Sequence, residues 1–436
     1  MLLLLLGCPE PLDSAEPDDP QDSPVVEDTD DTDDTGTLEP LVMELVYDRS
    51  VTAGNPLKGF AHSYLWGQPV TDFPHSLEFL YLPLSALMDG PDSFTFDAGL
   101  EPLLAAAEER GHQVIVRPYI DYPTKESGLP AFLEGQVTMQ TYTEFGGGES
   151  PDYTDPDLRA AMASFIAAFG AEYDGDPRIA FVQLGLVGFW GEWHTWPHTE
   201  WFPSVEIQNE VLNAYASAFP TTHLQVRIPT GDSPSLRMGF HDDSFAYSTL
   251  GDTAWFFHPQ LVAAGADQRW TEVPIGGELR PELQTTVFQP DYVQGDFAQD
   301  FLDCVEQTHA SYMLNYGAFG QIYETADERE AAEQGALAMG YEFSLREVRV
   351  ADGLATVSVE NTGVAPYYYP LELELEGQRQ TLSAQPGERV EVSFVVSGRP
   401  SDEAPWTVGL VSEHLVEGQN IRLANVAPED GWLRIR

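Results

Sequence analysis

The chain has 436 residues, 42% of them hydrophobic and 11% aromatic, enough to bury a sizeable core. Its 71 Asp and Glu against 20 Lys and Arg give a formal charge of −51. A protein this acidic repels a phosphate backbone and an anionic membrane surface, since binding to either rests on neutralising negative charge with Lys and Arg. Nucleic acid is excluded as a partner class, and an acidic surface favours a soluble monomer.

The first eight residues, M-L-L-L-L-L-G-C, form an apolar run ending in Gly7-Cys8 that resembles the lipobox of bacterial lipoproteins. That resemblance implies a truncated lipoprotein-type signal over 1–8 and lipidation at Cys8. It places the protein in the bacterial cell envelope or outside the cell, touching a membrane only through the lipid. Residues 9–40 are a Pro/Asp/Glu/Ser/Thr tract, and 13 acids and no Lys or Arg lie in residues 1–40. Such a stretch buries too little apolar surface to offset the entropy of ordering, and reads as a disordered acidic tether. The body still carries 58 acids against 20 bases. The second cysteine, Cys304, falls in helical periodicity as a small buried hydrophobe, which leaves no disulfide to form. After residue 8 no apolar run reaches the ~18 residues of a membrane span.

From about residue 50 to 330, short apolar runs alternate with helical patterns. Strands are expected at Leu57–Ala61, Phe79–Leu84, Gln113–Tyr119, Ile179–Leu186, Leu224–Ile228, Phe245–Ser248, Val273–Gly276 and Ser311–Asn315. Helices are expected at Leu100–Arg110, Pro156–Tyr173, Val205–Phe219, Pro259–Arg269 and Phe297–His309. Eight strands alternating with helices predict an α/β fold, a (β/α)8 TIM barrel over 41–330. A doubly wound sheet would call for a Gly-rich phosphate turn after its first strand, and none is present. After a helical connector at Ala326–Gly340, residues 341–436 show period-two alternation broken by turn signals such as Asp352-Gly353. They predict a small all-β sandwich domain with strands at Ser344–Val350, Leu354–Glu360, Leu371–Leu375, Arg389–Val396, Trp406–Val411 and Ile421–Asn425.

In a barrel the chemistry sits at the C-terminal ends of the strands. The fourth strand continues into G-F-W-G-E-W-H-T-W, which places Glu192 among Trp190, Trp193, His194 and Trp196. The seventh reads V-P-I-G-G-E-L, with Glu278 at its mouth. A glutamate after strand four and another after strand seven resembles the clan-A glycoside hydrolases. The resemblance implies Glu192 as general acid/base and Glu278 as nucleophile, one carboxyl protonated and one ionised, in a retaining pair spaced ~5–5.5 Å apart. Most of that clan has an Asn before the acid/base, where this chain has Gly191. The opening N-P-L-K-G-F (Asn55–Phe60), together with G-F-W-G-E-W-H and the sandwich, also resembles a family of uncharacterised secreted bacterial barrel proteins.

Other strand-end groups expected to line the cleft and contact substrate are His62, Arg117, Tyr119, Asp121, Arg227, Tyr247 and Trp255. For each, a packing or bracing role is the competing reading; Arg117 and Asp121 are as well suited to an Arg–Asp brace. The insert Thr124–Tyr153 is expected to form a lid or cleft wall. His241-Asp242-Asp243 lacks the spacing of a transition-metal site, no GxSxG elbow is present, and no cofactor or catalytic metal is expected. The expected function is hydrolysis of an extracellular oligo- or polysaccharide. The alternative is a lipid-anchored carbohydrate-binding protein on a degenerate, non-catalytic barrel, favoured by Gly191. A structural surface protein is a third reading, and predicts a cleft without aromatic lining.

Overall fold

A computed structural model describes residues 40–295, 297–320, 323–425 and 431–436. Cys8 and the acidic tract before residue 40 lie outside the described residues. Eight parallel strands close into a barrel: β1 Gly59–His62, β2 Leu77–Pro83, β3 Gln113–Tyr119, β4 Ile179–Gln183, β5 Leu224–Val226, β6 Met238–Phe245, β7 Ile275–Leu279 and β8 Tyr312–Leu314. Alternation decides what each side chain meets. On β2, Leu80 and Leu82 face the surrounding helices, whereas Phe79 and Tyr81 join Ile115, Phe181 and Tyr312 inside the barrel. The helix Pro156–Tyr173 starts on Asp155, whose side chain accepts from the amides of Asp157 and Leu158, with Pro156 in the first turn. Cys304 is buried in the helix Phe301–Thr308.

Two antiparallel four-stranded sheets form the sandwich among the described residues. One orders Leu41–Glu44, Phe343–Ala351, Leu354–Asn361 and Arg389–Val395; the other orders Gln378–Thr381, Glu372–Leu375, Trp406–Val411 and Leu433–Ile435. Leu41–Glu44, counted with the barrel on sequence, instead pairs with Phe343–Ala351 at the sandwich edge. Ile421–Asn425 is no strand; it makes only single bridges through Ile421 and Asn425.

The sandwich closes the N-terminal end of the barrel. Tyr369 Oη donates to Ala180 O at 2.7 Å, His414 Nε2 lies 3.1 Å from Ile179 O, and His223 Nε2 lies 2.9 Å from Tyr368 O. N-P-L-K-G-F belongs to this seam: Asn55 exchanges side-chain bonds with the backbone of Arg422 at 2.9 and 3.0 Å, and Lys58 Nζ donates to Leu337 O and Tyr341 O. At the C-terminal ends of the strands, Glu192 and Glu278 are half-buried. No helix among the described residues is long and apolar enough to cross a membrane.

Candidate active site

The sixth strand differs most from its expected position. It runs Met238–Phe245 and so contains the charged triplet His241-Asp242-Asp243 that reads as a loop. The charges are tolerated inside because each acid meets a cation: Asp243 takes two bonds from Arg117 Nη2 at 2.9 and 3.0 Å, and Asp242 lies 3.4 Å from Arg227 Nη2. His241 Nδ1 is 3.1 Å from both Asp243 and Arg117. Burial holds the His241 imidazole down to about 4, against the opposing pull of Asp243. Burial also works against ionisation of Asp243, but Arg117, His241 and Arg227 outweigh it and hold its carboxyl well below the usual range. Among the described residues no three His, Cys, Asp or Glu side chains converge as a metal site.

Arg117, fully buried on β3, is the hub. Its Nε donates to Gln183 Oε1 at 2.6 Å and its Nη1 to Tyr81 Oη at 3.0 Å, while its plane lies over the Phe79 and Tyr81 rings at 5.3 and 4.9 Å. Tyr81 Oη in turn donates to Glu278 Oε2 at 3.3 Å, and Glu192 Oε1 lies 3.9 Å from Arg117 Nη1. Glu192, from the β4 loop, and Glu278, on β7, are thus linked through Arg117 and Tyr81, one glutamate touching each. Arg117 is as well suited on sequence to an Arg–Asp brace, and it makes one with Asp243 rather than Asp121, while lying 3.9 Å from Glu192.

Glu278 consequently keeps its proton. Burial, with the negative charges of Asp243 and Glu192, pushes its carboxyl up to about 8, and Arg117 and Tyr81 offset this only in part. Strand position implies a nucleophile here, and these surroundings favour its protonated form in the free protein.

Glu192 sits in a tight loop after β4, which ends at Gln183 rather than Leu186. Trp190, Gly191 and Trp193 all have positive φ, at 52°, 72° and 54°. A Cβ on Gly191 would fall 2.3 Å from Gly185 O, so the backbones at 185 and 191 approach too closely for any side chain at 191. Glu192 is partly open to solvent, with His194 Nε2 at 3.6 Å from its other oxygen.

The remaining expected site residues divide. Trp196 and Trp255 are exposed, at 61% and 57%, Trp190, His194 and Tyr247 are half-buried, and all lie on loops at the mouth. Arg227 is half-buried and committed to Asp242 and Asp243. Four are corrected. Trp193 is buried, with Nε1 donating to Leu184 O at 2.5 Å, so it packs the core rather than lining the site beside Glu192. His62 is buried among Tyr64, His75, Tyr316 and Phe319. Tyr119 is buried against Tyr122. Asp121 is buried and accepts from Tyr142 Oη at 2.5 Å, anchoring the hairpin Met139–Tyr142/Gly148–Pro151 that forms the expected cleft wall; burial raises its carboxyl to about 6. Sequence reasoning missed Tyr81, Asp243 and His241. It also missed half-buried Trp66 and Tyr122, whose rings pack on Tyr81 at 5.7 and 5.6 Å.

No family model and no curated protein matches the chain, so its likeness to the secreted barrel family rests on the quoted segments alone. Among solved structures it is similar to endo-glycoceramidase II from Rhodococcus sp., at 12% identity over 82% of this chain and 100% of that one, TM-score 0.43. It is also similar to a family 39 glycoside hydrolase from Bacteroides cellulosilyticus, at 10% over 81% and 82%, TM-score 0.37. A third is an endo-beta-1,4-mannanase from Thermotoga petrophila, at 11% over 87% and 97%, TM-score 0.34.

Proposed function

We propose that the protein is a glycoside hydrolase acting on a neutral extracellular glycan, held at the cell surface through Cys8, and that it works by a two-carboxylate retaining mechanism. The observation that carries this reading is the convergence of Glu192 and Glu278 on Arg117 and Tyr81 at the open mouth. A retaining pair requires the two carboxyls ~5–5.5 Å apart, and an inverting pair ~6.5–9.5 Å. Glu278 gives its proton to the leaving oxygen while the Glu192 carboxylate bonds to the anomeric carbon. The ionised Glu278 then takes a proton from water, whose oxygen cleaves the glycosyl ester and frees Glu192. This order reverses the roles that strand position implies, and the proton on Glu278 is its reason.

The test is a leaving-group series with aryl glycosides and unactivated glycans. In kcat/KM, which reports the first step, Glu278→Gln should lose about 10²–10⁴-fold on unactivated glycans and far less on substrates with good leaving groups, because only the former need the acid. Glu192→Gln should lose turnover on both. Equal losses on both substrates for Glu278→Gln would contradict the assignment. A non-catalytic glycan-binding barrel is the second reading, favoured by Gly191, where no Asn fits. It predicts saturable glycan binding, no hydrolysis, and indifference to Glu278→Gln.

A further inference from the structure

Each carboxyl has its own group of exposed rings. On the Glu192 side, Phe145 at the tip of the hairpin wall lies 5.0 Å from Trp190 and 6.1 Å from Trp196; Phe145 and Trp196 are 41% and 61% exposed. On the Glu278 side, Arg280, two residues beyond the acid, lies over the Tyr247 ring at 4.7 Å. Tyr247 packs on Phe297 at 5.0 Å, and Phe297 stacks with Trp255 at 6.1 Å and 22°. Trp255 and Phe297 are 57% and 44% exposed, although burial of rings this large is the usual outcome. The first group sits on the loops after β3 and β4, the second on those after β6 and β7. In the barrel order these pairs stand on different sides of the mouth, Glu192 on the same loop as the first group and Glu278 on a strand that carries the second.

Resting on the hydrolase reading, we infer that the platform of Tyr247, Phe297 and Trp255 is a second sugar subsite, and that the substrate is a glycan chain bound on both sides of the bond to be cut, so that cleavage is internal. Ring faces offer a flat apolar surface to the C–H face of a pyranose, and a π face is attracted to those polarised C–H groups. Arg280, held to Glu282 by bonds of 2.6 and 3.2 Å, supplies fixed polar groups beside the platform for ring hydroxyls. The body's acid excess fits a neutral chain over an anionic one. A site that takes only a chain end has no use for a platform on the far side of the acid.

The test uses cello-, manno-, xylo- and laminari-oligosaccharides of increasing length and the matching polysaccharides. For the series that binds, affinity measured calorimetrically on the Glu278→Gln chain should rise with length, and adding Trp255→Ala or Phe297→Ala should remove about tenfold of the gain. Both rings are exposed, so both variants fold. Wild-type protein should give internal fragments and an early fall in viscosity. Length-dependent binding that needs Trp255 without any hydrolysis would keep the subsite and remove the hydrolase. Hydrolysis from chain ends alone, unchanged by Trp255→Ala, would keep the hydrolase and overturn the subsite. Absence of binding to every probe would overturn both.

Discussion

The two ends of the barrel bury polar groups in opposite ways. At the closed end Lys58, His223 and His414 each bond backbone carbonyls, and burial holds the two histidines near 3 and 4, neutral at ordinary pH. At the open end Arg117 and Asp243 keep full charges in the interior, while His241 Nε2, Asp121 Oδ2 and His194 Nδ1 have no hydrogen-bond partner. Carbonyl partners dominate at the closed end, where burial lowers the Lys58 ammonium to about 8. At the other end the charges of Asp243 and Glu192, with burial, favour the protonated form of Glu278.

The largest expected effect comes from breaking the charged end. Arg117→Met leaves Asp243 buried without its main cation and should cost about 3–5 kcal/mol, read from the shift in a urea unfolding midpoint. An equally severe loss from Asn55→Ala at the closed end would erase the contrast between the ends. Next is Gly191→Asn, which restores the residue usual in clan A. With φ at 72° and Gly185 O in the way, it should displace Glu192 and reduce turnover about 100-fold, and lower the unfolding midpoint as the two backbones are forced apart. Unchanged kinetics would show that the close backbone contact does not position Glu192.

Much of this contrast is legible in sequence, and the reasons it is not wholly so are physical. The apolar strands Gln113–Tyr119 and Ile179–Gln183 announce themselves because both faces of a parallel barrel strand are buried. Glu192 and Glu278 stand out as acids at strand ends. The sixth strand does not, because His-Asp-Asp is polar until Arg117 and Arg227 are brought to it from β3 and the β5 end, and no local pattern encodes that meeting. Tyr81 is hidden inside L-E-F-L-Y-L-P; the available signal is its parity with Phe79, which points it into the barrel. Trp193 misleads because a tryptophan next to a candidate acid looks like lining, whereas the positive φ of the loop turns it into the core. N-P-L-K-G-F is conspicuous for a role in the seam with the sandwich.

The smallest effect is a slope at the closed end. His223 and His414 have lower pKa values folded than the ~6.5 of an unfolded chain, so the unfolded state binds protons first. Their contribution is complete above pH ~6.5 and is lost as pH falls from there toward about 4. His414→Gln should flatten that slope by up to ~1.4 kcal/mol per pH unit. The loss tied to Asp243, whose carboxyl is held low, begins only below the ~3.9 of an unfolded aspartate, so unfolding titrations separate the two ends.

The proton at Glu278 joins the charged mouth to the proposed reaction, and the pH dependence of wild-type kcat/KM on an aryl glycoside with a poor leaving group tests it most directly. If Glu278 is the acid, kcat/KM falls as pH rises through about 8, because the free protein then loses the proton it must donate, and the limb is absent in Glu278→Gln. A kcat/KM that climbs through the same range would make Glu278 the group that acts ionised, and would contradict the account.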